Sequence, residues 1–398
     1  MKMKLDMSRG KPGSEQLDLS TGMLGITDYI DKYGTDCRNY GGIDGIPEMK
    51  ELFADLMDAR PDEILAGGNS SLSLMYECVL LYCLGLDKLK SDKLGTDRIR
   101  PDKNEGKIKF LCPAPGYDRH FTICEYLNIE MIPVSMTADG PNMDEVRRHV
   151  KDPLVVGIWC VPVFSNPQGI VYSDQVIKEM AALKPANRDF RILWDNAYGL
   201  HAFDGKPPNV ANLLRECEKQ NAYDMPLIFM SFSKISFGGA GVCAMAASPD
   251  NLDKMRKYLS IQTLGPDKLN QLRHVRFFKD ARGVYAHMAK HAELLRPKVN
   301  AVLEELSAKL AGKGVGSWLV PKGGYFVPFD TLPGRAKRTV QLCAEAGLIM
   351  TPAGATYPYG KDPSDSNIRI AFSFPPIEQL KPAMEIFCTA VEKAAKER

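Results

Sequence analysis

The sequence predicts an α/β protein, with a large lobe on a mostly parallel sheet and a smaller α+β lobe beyond it. Three observations carry this. Apolar, β-branched runs alternate with amphipathic stretches of helical length, as parallel strands do with their crossover helices. The polar residues capable of chemistry stand directly after those runs. Past residue 310 the pattern changes to short strands followed by helices.

Strands are predicted over Lys107–Cys112, Leu154–Val161, Phe190–Trp194 and Pro226–Met230. Helices are predicted over Pro47–Met57, Ser71–Leu84, Ser173–Leu183 and Pro297–Leu310. The last sets Val299, Val302, Leu303, Leu306 and Leu310 on one face. Ser71–Leu84 is apolar nearly all round and should be buried. Ser317–Val320 and Gly324–Val327 read as strands of the smaller lobe. These elements divide the chain into a large lobe, 36–292, and a small lobe made of 293–398 together with 1–35, a segment too short to fold alone.

Composition mainly excludes. The net charge of +2 gives no basis for a nucleic-acid or membrane partner. Residues 1–15 lack the apolar core of a signal peptide, and no apolar run has membrane-spanning length. The 10 cysteines are scattered, with no Cys-x-x-Cys pair, and read as reduced thiols of a cytoplasmic protein. His287 and His291 sit one helical turn apart without an acidic partner, so they read as a solvated helix face, and no metal is expected.

Lys234 is the most informative residue. It follows the apolar run Pro226–Met230, lies beside Ser231 and Ser233, and precedes Phe237-Gly238-Gly239-Ala240-Gly241. An ammonium is costly to bury there, unless the amine is held in a Schiff base. In open α/β sheets ligands bind beyond the carboxyl ends of the strands, so the residue after each run is a test of function. Those residues are Pro113-Ala114-Pro115-Gly116-Tyr117, then Phe164-Ser165-Asn166-Pro167-Gln168-Gly169, then Asp195-Asn196-Ala197-Tyr198. Gly67-Gly68-Asn69-Ser70-Ser71 precedes the buried helix.

Pyridoxal 5′-phosphate needs this set. Lys234 would take its aldehyde, and Asp195 would keep its ring nitrogen protonated, which makes the ring an electron sink. Asn166 and Tyr198 would donate to the ring oxygen, and Tyr117 would stack on the ring, with His120 as a rival. Asn69, Ser70 and Ser71, at a helix N-terminus, would hold the phosphate, with Ser231 and Ser233 nearby. Catalysis would fall to Lys234, Asp195 and Tyr198.

With these residues in order, the chain resembles the fold type I pyridoxal-phosphate aminotransferases of class I/II over nearly its whole length. Tyr40-Gly41-Gly42-Ile43-Asp44-Gly45-Ile46-Pro47, Asn166-Pro167-Gln168-Gly169, Asp195-x-x-Tyr198, Ser231-x-Ser233-Lys234 and Asn367-Ile368-Arg369-Ile370-Ala371-Phe372 match the family's motifs in the family's order. Ser8-Arg9-Gly10-Lys11-Pro12 and Gln262-Thr263-Leu264-Gly265-Pro266-Asp267-Lys268 are similar to the bacterial type Ic aspartate aminotransferases. The resemblance implies a seven-stranded central sheet and a homodimer in which Tyr40 reaches the neighbouring subunit's cofactor phosphate. It also implies that Arg369 binds the substrate α-carboxylate, with Asn166 and Gly22 beside the substrate. The family's phosphate-binding arginine, eight residues after the lysine, is replaced here by Val242.

L-aspartate and 2-oxoglutarate are the expected substrates, with Arg119, Lys268 and Arg9 as candidate cations for the distal carboxylate. The alternatives are an aromatic or 2-aminoadipate aminotransferase, a β-lyase, or a non-catalytic regulatory module. The last is disfavoured because both Lys234 and Asp195 are kept and no DNA-binding segment precedes Tyr40.

Overall fold

The computed structural model describes residues 5–83 and 106–397. The chain runs through β1 (Leu5–Met7), α1 (Ser14–Asp18), α2 (Pro47–Met57), β2 (Ile64–Ala66), α3 (Ser71–Cys78), β3 (Lys109–Ala114), α4 (Asp118–Tyr126), β4 (Glu130–Thr137), β5 (Gly140–Pro141), α5 (Met143–His149) and β6 (Val155–Cys160). It continues with α6 (Asp174–Ala181), β7 (Arg191–Asp195), α7 (Leu213–Lys219), β8 (Pro226–Ser231), β9 (Cys243–Ala246), α8 (Pro249–Gln262), α9 (Lys268–Phe278) and α10 (Ala281–Leu310). The last elements are β10 (Gly316–Trp318), β11 (Phe326–Thr331), α11 (Ala336–Glu345), β12 (Leu348–Met350), β13 (Asn367–Ala371) and α12 (Ile377–Lys396).

The large sheet has eight strands in the order β2-β9-β8-β7-β6-β3-β4-β5. The five strands from β8 to β4 run parallel, while β9 and β5 are antiparallel to their neighbours. The eighth strand, beyond the seven expected, is the two-residue β5 at the edge. Parallel strands covered on both faces read as near-continuous apolar runs, as Val155–Cys160 of β6 does, buried at every position. In β8, Leu227 and Phe229 pack into one cluster, with Leu193 of β7 and Phe121 of α4. Ile228 and Met230 pack into the opposite one, with Trp194 of β7 and Ile177 of α6. From β3 the chain crosses to β4 on one side and later to β6 on the other, so the crevice between the carboxyl ends of β3 and β6 is the topological switch point.

The smaller lobe carries the antiparallel sheet β10-β11-β13, with α10 and α12 packed into its apolar cluster. The N-terminal β1 pairs in parallel with β12.

Several boundaries differ from expectation. The helix expected from Pro297 begins at Ala281 and runs unbroken across residue 292. Its start is set by Asp280, whose carboxylate accepts from the Gly283 N–H at 2.9 Å. Pro297 lies inside it, where the missing N–H costs one helical bond. The helix from Ser71 turns into a π-turn over Val79–Cys83, and its expected end, Leu84, lies outside the described residues. β3 sits two residues later than predicted. Among the described residues no helix is long and apolar enough to cross a membrane.

Candidate active site

Strand alternation places the acid. Trp194 faces the α6 side, so Asp195 points to the opposite face, where α4 packs. There His120 Nε2 meets Asp195 Oδ2 at 3.2 Å. The imidazole lies flat on Trp159, with ring centroids 4.3 Å apart. Asp195 is only 3% exposed, and its second oxygen, Oδ1, has no hydrogen-bond partner. A buried carboxylate oxygen left unpaired is costly, so it is the place for a cationic N–H from a ligand.

Lys234 ends a 3-10 turn, Phe232–Lys234, that follows β8. Desolvation around Nζ lowers its pKa, while the charge of Asp195 partly opposes that shift. Nζ lies 4.7 Å from the centre of the Tyr198 ring. The glycine-rich stretch folds back onto the turn, and a Cβ on Gly241 would stand 2.9 Å from the Ser233 nitrogen. Ser233 Oγ donates to the Asn69 carbonyl at 2.9 Å, which brings the α3 N-terminus beside the lysine turn. Ser70 is the N-cap of α3, Ser71 its first residue, and Ser231 is buried at the end of β8.

Arg369 comes from β13 in the smaller lobe. Its NH1 donates to Asn166 Oδ1 at 3.1 Å and to Asp118 Oδ1 at 3.0 Å. The guanidinium lies over the Phe326 ring at 5.1 Å. Tyr117 caps α4 and meets His120 edge-on with centroids 5.0 Å apart. Burial pushes its phenol up to about 12. His120, the rival for the stacking role, has one face covered by Trp159 and its edge bonded to Asp195. That bond was missed in the sequence. The signal was available, since a histidine three residues after the aromatic falls on the same helix face.

Tyr40 and Gly22, both expected at the site, lie at the surface of the chain. Tyr40 is 82% exposed, and Gly22 is exposed against the ring of Phe277. Val242 is buried in the core, and its carbonyl accepts from the Phe232 N–H at 2.8 Å, so the position of the family's arginine is turned inward. Lys268 Nζ donates to the carbonyls of Asn39 and Gly41, each at 2.7 Å, and fastens the loop that carries Tyr40.

The solvated face expected for His287 and His291 is a correction: both are buried. They lie where α10 passes under the lysine turn and meets the N-terminal segment, and so are enclosed on all sides. His287 Nε2 lies 3.0 Å from the Ile235 carbonyl and 3.2 Å from His291 Nε2. His291 Nδ1 is 3.0 Å from Gln16 Nε2, which also donates to Tyr325 Oη at 3.1 Å. Tyr325 Oη and His201 Nε2 both reach the Lys234 carbonyl, at 3.2 and 3.3 Å. Burial lowers His201 and His291 to about 3 and His274 to about 4. In the unfolded chain these rings take protons near pH 6.5, whereas in the fold they stay neutral until far lower pH. The unfolded state therefore binds more protons throughout that window, and stability falls as pH falls. The melting temperature should drop steadily from pH 6.5 to pH 4, and a flat melting curve across that range would contradict the buried neutral imidazoles.

A lysine with a lowered pKa, an orphaned carboxylate oxygen and a helix N-terminus meeting in one crevice fit an aldehyde, a protonated ring nitrogen and a phosphate. Fold and donor set together define a fold type I enzyme whose cofactor is pyridoxal 5′-phosphate. The family described as aspartate amino-transferase matches residues 1–398. An aspartate aminotransferase of Corynebacterium glutamicum is 43% identical, over 99% of this chain and 90% of its own. The crystal structure of an aspartate transaminase from C. glutamicum has a TM-score of 0.92 at 44% identity, covering 99% of this chain and 92% of that one. The α-aminoadipate aminotransferase LysN of Thermus thermophilus shares the fold, with a TM-score of 0.76 at 18% identity over 99% of this chain and 93% of that one. The chain belongs to the aspartate aminotransferase family and is an aminotransferase.

Proposed function

We propose that this enzyme moves the amino group of L-aspartate to 2-oxoglutarate. The observation that carries the chemistry is the pairing of Lys234, its amine held towards the neutral form by burial, with the orphaned Oδ1 of Asp195. The 43% identity to a named aspartate aminotransferase supports the substrate.

When bound, pyridoxal phosphate supplies an aldehyde for the substrate's amine and a ring that draws electrons from the substrate's Cα. Asp195 Oδ1 would hold the ring N–H, with His120 fixing the plane of the carboxylate. Asn166 and Tyr198 would donate to the ring oxygen, and Tyr117 would cover a ring face. The N–H groups of Ser70 and Ser71, with Asn69, Ser231 and Ser233, would hold the phosphate. Arg369 grips the α-carboxylate as a planar fork, and Asn166 keeps that fork in plane. Lys234 Nζ takes the α-proton and later returns it, as base and then acid. A second 2-oxo acid runs the sequence backwards, which gives ping-pong kinetics. With Lys268 engaged by two carbonyls, the exposed Arg119 and Arg9 remain for the distal carboxylate.

We place residues 36–292 in the cofactor-binding lobe, with 1–35 and 293–398 in the other. A homodimer is supported by an exposed apolar set along one segment, Leu24, Tyr29, Ile30, Tyr33 and Tyr40. The exposed Leu264 adjoins it, since its carbonyl accepts from the Gly41 N–H. In that dimer Tyr40 would serve the neighbour's phosphate, and Gly22 would border the substrate. A cytoplasmic location is supported by 10 free, buried cysteines.

Half-reaction spectra of the holoenzyme against aspartate, glutamate, tyrosine and alanine test the substrate. Aspartate and glutamate should convert the cofactor's absorbance fastest. Faster conversion by tyrosine or alanine would overturn the dicarboxylate reading, and light scattering on the same sample should give twice the chain mass.

A further inference from the structure

Arg369 has five N–H donors, and their partners are unequally good. Both hydrogens of NH1 are engaged, one by Asp118 Oδ1 at 3.0 Å and one by Asn166 Oδ1 at 3.1 Å. Nε and NH2 lean on a single oxygen, Thr351 Oγ1, each at a long 3.4 Å. That oxygen is itself fixed, because the hydroxyl donates to the Ser8 carbonyl at 2.6 Å. A carboxylate taken as a bidentate fork needs two neighbouring N–H groups on one edge. The Nε–NH2 edge faces Thr351. The NH1–NH2 edge opens only if NH1 gives up a partner.

The two partners of NH1 are not equivalent. Asn166 is buried and neutral. Asp118 is the first residue of α4, its side chain is 32% exposed, and it carries the same charge as the incoming group. Two carboxylates on one guanidinium repel each other, and only Asp118 can swing to water. We propose that Asp118 is an internal stand-in for the substrate's carboxylate: it holds Arg369 in place in the resting enzyme and must be displaced by each amino acid or 2-oxo acid that binds. This makes Asp118 an affinity-setting residue that lowers affinity for every carboxylate ligand by a common factor. The inference rests on Arg369 being the α-carboxylate grip.

The test uses holoenzyme and maleate, an unreactive dicarboxylate, with Kd read from the cofactor's absorbance and from calorimetry. A partly exposed ion pair of this kind corresponds to about a fivefold change in Kd. Asp118→Asn keeps the acceptor for NH1 and removes the charge, so maleate should bind about fivefold more tightly. KM for the amino donor should fall by a similar factor, and by more than kcat changes, as for the loss of a competitor present only in the free enzyme. Asp118→Ser serves in its place if the asparagine variant does not fold. Unchanged or weaker maleate binding overturns the proposal, because a merely structural role for Asp118 would loosen Arg369 and weaken the complex. Arg369→Gln separates the two readings. If it leaves maleate binding intact, the grip itself is misassigned. If it weakens binding, Asp118→Asn in that background should have no further effect.

Discussion

The Lys234→Ala enzyme is expected to lose turnover by ~10⁴-fold or more, the upper end of what one positioned acid–base group contributes. It should also lose the visible absorbance that comes from joining the lysine to the cofactor. The structure explains why no neighbour can substitute. Lys234 Nζ sits over the Tyr198 ring in a desolvated pocket, and its backbone is pinned by Tyr325 and His201. His201, a neighbouring basic side chain, is directed at the lysine carbonyl and is held neutral down to about 3. Wild-type rates in this variant would end the assignment of the lysine as base.

Asp195→Ala should lower kcat at least ~100-fold, close to 3 kcal/mol of barrier, and weaken cofactor binding. The effect is electrostatic in origin, so Asp195→Asn should recover little of it. The amide fills the same space and can keep the contact with His120, yet it carries no charge for the ring nitrogen. If Asp195→Asn matched the wild type, the orphaned Oδ1 would have to serve some other partner.

Lys234, Asp195, Asn166 and Tyr198 could be nominated from sequence for a local reason. Each closely follows an apolar run, and the end of such a run is visible without knowing which strands are neighbours. What stayed hidden depends on packing between distant segments. Asp118 and Thr351 became visible only once β13 brought Arg369 to α4. The histidines of α10 read as a polar face because a helix of ordinary amphipathicity has one wet side. This helix has its histidines packed against the Ile235 carbonyl beside the lysine turn, with Gln16 closing over them. Its start was misread because Pro297 imitates a first-turn proline, and the true signal, Asp280 as cap, lies further back. The departure at Val242 was legible as a missing charge, but its inward orientation was not.

The network beneath the lysine has a consequence for how the protein is made. Tyr325, which bonds the Lys234 carbonyl, directly precedes β11, the central strand of a sheet whose last strand ends at Ala371. Arg369 lies in that last strand. A chain emerging from the ribosome thus carries the reactive amine long before the groups that orient it exist. Synthesis must pass β13 before the vitamin finds a finished cradle, so a polypeptide released before that strand would hold the nucleophile without the means to aim it.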